Sequence, residues 1–154
     1  MSHDWEGAAR DWHEWLGYAA AGLVALRIVW GFVGSRYARF SEFVRGPRQL
    51  LDYTRARFGG RERRYLGHNP LGALMVLLLM ALSMGLAITG FVMTHRGMTL
   101  FGLDRRPLHQ LHDIMGNLYV VAVPVHIIAV ISESIRHREN LVRTMIVGTK
   151  RVED

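Results

Sequence analysis

The residues best placed to do chemistry are histidines inside apolar sequence. His112 and His126 stand 14 residues apart in LHQLHDIMGNLYVVAVPVH, close to four helical turns. A helix would set them roughly 21 Å apart on nearly one face. An ionisable ring costs free energy to bury in lipid, so each is expected to serve a partner or a ligand. Two imidazoles along one helix can supply two stations, one near each surface of a membrane. The cofactor best matched to a neutral imidazole in a dry apolar bundle is haem.

His13 gives the outer station a second imidazole. His13-Glu14-x-x-Gly17 echoes His112-Asp113-x-x-Gly116. A haem held from both faces needs imidazoles converging from two helices, and its edge crosses each backbone about one turn from the ligand. Gly17 and Gly116, at i+4, leave that space open. Glu14 and Asp113 fall at the polar rim, where they can orient neighbouring donors without touching the imidazoles. The competing reading is two ordinary helix starts with small residues for packing.

The inner station is less complete. Arg27 follows His13 by the same 14 residues that separate His112 from His126, so it reaches the same depth and face. A cation there can pair with a haem propionate or balance an inner haem, or it can snorkel to the nearby membrane surface. Pro124 removes one helix hydrogen bond beside His126 and can re-aim its ring. His68, in Gly-His-Asn-Pro, stands at the inner mouth of an apolar block, where it can touch a propionate or a quinone head group or cap the helix. His109 and His112 form an i, i+3 pair with the spacing for zinc, but no third ligand stands near. His3, His95 and His137 read as surface residues, and the eight methionines as core filler.

Three apolar blocks must position these residues. They cover about 13–33, 70–93 and 109–131, each long enough to cross a hydrocarbon core of ~30 Å. The first carries only Glu14 and Arg27 as charges, the second none. Gly72, Gly85 and Gly90 in the second block permit close helix approach. Residues 1–12 are net acidic, offer Trp5 and Trp12 as interface anchors, and lack the basic start of a signal peptide. Residues 35–69 hold nine arginines against Glu42, Asp52 and Glu62. Within them SEFVRGPRQLLDYTRARF is expected to form short interfacial helices broken at Gly46-Pro47. A further amphipathic helix is expected in the tail from Ser132.

Composition narrows the classes. The 154 residues are 50% hydrophobic, carry a formal charge of +6 and contain no cysteine. Disulfides, cysteine-ligated iron–sulfur clusters and covalently attached c-type haem are therefore excluded. The basic residues flank the apolar blocks, so they speak for lipid and not for nucleic acid. The expected fold is all-α, an integral membrane bundle of three transmembrane helices with short amphipathic cytoplasmic helices, in a single domain over 1–154. The positive-inside bias puts residues 35–69 and the C-terminus in the cytoplasm and the N-terminus in the periplasm. His13 and His112 then lie at similar depth near the outer surface.

The stretches WHEWLGYAAAGLVALRIVWGFVGSRYARFSEFV, YLGHNPLGALM and LHQLHDIMGNLYVVAVPVHIIAV…HRENLVRTMIVGTKR together resemble the bacterial cytochrome b561 family. That family includes the b-type cytochrome subunits of membrane-bound nickel–iron hydrogenases. The resemblance implies four membrane helices, two b haems, and electron passage between a redox partner and the quinone pool of the bacterial inner membrane. By matched position His13 resembles the ligand of the family's second helix, and His112 and His126 the two ligands of its fourth. The family's first helix, with its Arg-x-x-His-Trp-like start, has no counterpart in these residues. By resemblance its histidine would partner His126, so either a truncated chain or a one-haem version is expected.

The leading expectation is an electron-transfer subunit of an oxidoreductase complex, not a stand-alone catalyst. The partners it implies are membrane lipid, quinone, and a hydrogenase or other dehydrogenase subunit. Two other classes compete: a histidine-dependent metal-ion binding or transport protein, and a structural membrane anchor without haem.

Overall fold

The structure, a computed structural model, describes residues 3–35, 38–44, 46–59, 69–95, 97–102 and 104–136. These form five helices in the order α1 (His3–Val33), α2 (Phe40–Phe43), α3 (Pro47–Phe58), α4 (Pro70–Thr94) and α5 (Arg105–Arg136). Three of them, α1, α4 and α5, are long and apolar enough to cross a membrane. The all-α reading with three spans holds. The short helices broken at Gly46-Pro47 appear as α2 and α3.

Two helices outrun their apolar blocks. Helix α1 begins ten residues ahead of His13, because DWEGAARDW is built from residues compatible with a helix in water and contains no proline. Helix α5 starts at Arg105, with Pro107 tolerated in its first turn, and runs on through Pro124 to Arg136. Ser132–Arg136 therefore continue α5. The rest of the expected tail helix, including His137, lies outside the described residues.

The entrance of α4 shows why it starts where it does. Asn69 is the N-cap: its Oδ1 accepts the Gly72 N–H at 2.7 Å, and Pro70 follows in the first turn. An N-cap needs a short side chain with an acceptor that reaches back to N2 or N3, and Asn69 supplies it. The capping role assigned to His68 thus belongs to Asn69. His68 itself lies outside the described residues, and with it the propionate and quinone-contact reading.

Helix α4 is the central element. It packs most extensively along α5, then along α1, while α3 rests against it; α1 and α5 touch little. The α4–α5 pair is antiparallel, with Thr89 and Gly90 facing His112 and Gly85 facing Met115. Pro70, Ala73, Leu82 and Thr89 of α4 and Leu108 and Ala122 of α5 are the buried residues of these two helices. Between helices in lipid, close van der Waals packing replaces the hydrophobic drive, so small residues lie at the contact. At Gly85 an added Cβ would come within 2.7 Å of Met115 Sδ.

The outward faces are apolar. Leu16, Leu23 and Leu26 of α1 and Val120, Val121 and Ile128 of α5 are all exposed. In water such faces would be a large association surface; around spanning helices they are the lipid contact. At the far end of α1 the chain folds back, and Phe40 packs against buried Gly31, whose missing Cβ makes room for the ring. Phe40 also meets Phe32 edge-on, with ring centroids 5.2 Å apart.

Candidate functional site

The outer station is assembled from α1 and α5, with α4 supporting it. His13 and His112 come from different helices, yet their ring centroids lie 6.2 Å apart with planes at 71°. His13 is exposed and His112 half-buried. The two starts of helix therefore do share one end of the bundle, as the alternation of three spans requires.

The separation can be compared with a ligand pair. Two imidazoles bound to one iron from opposite faces place their centroids two metal–nitrogen bonds and two ring radii apart, about 2.0 and about 1.2 Å each, or about 6.4 Å. The angle between ring planes is free to vary about that axis. The centroid separation is compatible with a haem iron held by two histidines. The glycines are compatible with the same group. A Cβ at Gly17 would meet nothing within 4 Å among the described residues, which leaves that side of the ring open. At Gly116 a Cβ would meet only Leu86 Cδ2, at 3.9 Å, an ordinary contact with α4.

Helix α4 adds two residues to this station. Thr89, 2% exposed, places Oγ1 2.8 Å from His112 Nδ1. Gly90 lies beside the same ring: a Cβ there would be 3.5 Å from His112 Cε1, an ordinary contact. Thr89 was not marked in the sequence, and Gly90 only as a place of close helix approach. Their only signal is a hydroxyl and a glycine side by side in an otherwise apolar block, which reads equally well as packing.

The acidic neighbours divide. Glu14 does orient a donor: Tyr18 Oη donates to its Oε1 at 3.1 Å and lies 3.2 Å from Thr94 Oγ1 on α4. Thr94 Oγ1 is in turn 3.1 Å from His95 Nδ1, and His95 stacks on Phe91 with centroids 4.0 Å apart. Asp11, Glu14, Trp15, Tyr18, Phe91 and His95 line an open cavity of about 560 Å³. His95 is exposed, as expected of a surface residue, but it belongs to this network. Asp113 is exposed at the rim.

The inner station is not assembled in the same way. Arg27 is half-buried, with its guanidinium carbon 5.7 Å from the centre of the Phe40 ring. That contact draws it towards the α2 end, the direction in which a snorkelling arginine extends. His126 is half-buried on α5, and among the described residues no second histidine lies at its depth. Nor do three or more histidine, aspartate or glutamate side chains gather as a metal cluster among the described residues. His109 is exposed.

Residues 1–148 match the family described as prokaryotic cytochrome b561. A probable Ni/Fe-hydrogenase B-type cytochrome subunit of Rhizobium leguminosarum bv. viciae is 30% identical over 172 residues, spanning 96% of this chain and 71% of the relative. The protein of the same description from Cupriavidus necator is 31% identical over 149 residues, covering 83% of this chain and 61% of its own length. That from Azotobacter vinelandii is 26% identical over 175 residues, 96% of this chain and 70% of the relative. No solved structure matches. With nearly the whole chain matched and three spanning helices in place, this protein belongs to the prokaryotic cytochrome b561 family.

Proposed function

We propose that this chain is a membrane-embedded b-type cytochrome that transfers electrons, with one haem held by His13 and His112. The observation that carries the reading is the 6.2 Å separation of two imidazoles brought together from helices 99 residues apart in register. Bound haem supplies reversible one-electron redox chemistry. The chain's own residues do the rest. His13 and His112 provide nitrogen ligands, Gly17 and Gly116 leave room beside them, and the uncharged α4 keeps water from the inner side of the site.

Electron passage to or from a quinone and a partner subunit follows from this reading. The partner we propose is a hydrogenase or another dehydrogenase subunit; the names of the relatives support the former. We place the protein in the bacterial inner membrane, N-terminus periplasmic and C-terminus cytoplasmic, on the arginine content of residues 35–69. A single domain over 1–154 is the simplest organisation of one bundle around α4. His126 is the second candidate ligand, for an inner haem whose other imidazole would come from outside the described residues. His68 and Arg27 are candidate contacts for propionates on that side.

The protein purified from membranes should be coloured, with a reduced-minus-oxidised spectrum of b type and extractable, non-covalent haem. A colourless protein that instead binds zinc or nickel would favour the metal-ion reading and end this one.

A further inference from the structure

Thr89 Oγ1 has three polar neighbours: Gly85 O at 2.8 Å, Leu86 O at 3.2 Å and His112 Nδ1 at 2.8 Å. A hydroxyl carries one proton, and carbonyl oxygens can only accept. The proton therefore points back along α4 to Gly85 and Leu86, the i−4 bonding habitual for threonine in helices. Placed elsewhere, it would leave two oxygens 2.8 Å apart with no hydrogen between them. The lone pairs of Oγ1 then face Nδ1, so Nδ1 is the donor and carries the ring proton. A neutral imidazole protonated at Nδ1 has its free lone pair on Nε2.

From this we infer that Thr89 is a positioning residue for His112, holding its ring as the Nδ1–H tautomer with Nε2 open for an iron. The inference rests on the haem reading above and deepens it. Two features make α4 a rigid mount. Thr89 is almost fully buried, and its hydroxyl is anchored to the helix backbone. The His13 ring, by contrast, makes no hydrogen bond among the described residues. The two ligands are thus unequal, one set in advance by α4 and the other exposed. Donation from Nδ1 also enriches the ligating nitrogen, which favours the oxidised, more positive iron.

The test compares the holoprotein with Thr89→Val, which keeps the shape and removes the hydroxyl, and with Thr89→Ser, which keeps the hydroxyl. The valine variant should retain low-spin haem, show a raised midpoint potential, and lose haem to an excess of apomyoglobin about 10-fold faster. Serine should restore both towards the parent values. A valine variant with unchanged potential and haem loss, or a serine variant that behaves like valine, overturns the inference. A second measurement does not depend on the variants folding. The ¹⁵N shifts of the His112 ring in haem-free parent protein should report Nδ1–H, and an Nε2–H ring overturns the inference directly. Failure of the haem reading itself would appear earlier and differently, as a parent protein without a b-type spectrum.

Discussion

At the scale of single residues, the sharpest statement concerns spaces. Among the described residues Gly17 faces nothing within 4 Å, so none of them demands a glycine there. If a haem edge crosses that position, Gly17→Leu should cut haem per protein several-fold in the purified protein. Membrane insertion should be kept, since leucine strengthens a spanning segment. Haem content measured against protein checks it, and full occupancy in the leucine variant would refute the clearance role. The pairing of His13 with His112 was legible in the sequence because both carry an acidic neighbour and a glycine at i+4. Thr89 was not, because a threonine inside an apolar block carries no spacing that separates ring support from back-bonding within its own helix. Asn69 was hidden for another reason: the histidine beside it drew the capping role, although the shorter side chain is the better acceptor.

At the scale of elements, the three spans were readable from length and charge alone, but their ends and their arrangement were not. Hydropathy marks where lipid is acceptable, not where a helix must stop, so the ten residues before His13 joined α1 unnoticed. Helix α4 is apolar all round and gives no periodic face, so its central position appears only in the packing. The segment holding α2 and α3 lies at the opposite end of the bundle from His13 and His112, joining the end of α1 to the start of α4. Its arginines are worth ~1 kcal/mol each at an anionic leaflet, and the proposed direction of insertion rests on them. A reporter enzyme fused near Arg57 should accordingly read cytoplasmic; a periplasmic signal would invert the proposed orientation.

At the scale of the whole molecule, the described residues furnish one end of the bundle more fully than the other. The furnished end joins α1, α4 and α5 through the two histidines, Thr89 and the Glu14–Tyr18–Thr94 network. The other end offers His126 and Arg27, the latter resting on Phe40. The relatives are longer than this chain, which spans 71% and 70% of two of them. If one haem depends on His13 and His112 together, its fate in single variants separates the two ends. Absorption and electron paramagnetic resonance spectra of the purified His13→Ala, His112→Ala and His126→Ala proteins make that separation. The account predicts that His13→Ala and His112→Ala each lose this low-spin haem or convert it to high spin, while His126→Ala retains it. It is contradicted if both of the first two keep the parent low-spin spectrum and haem content, or if His126→Ala alone loses them.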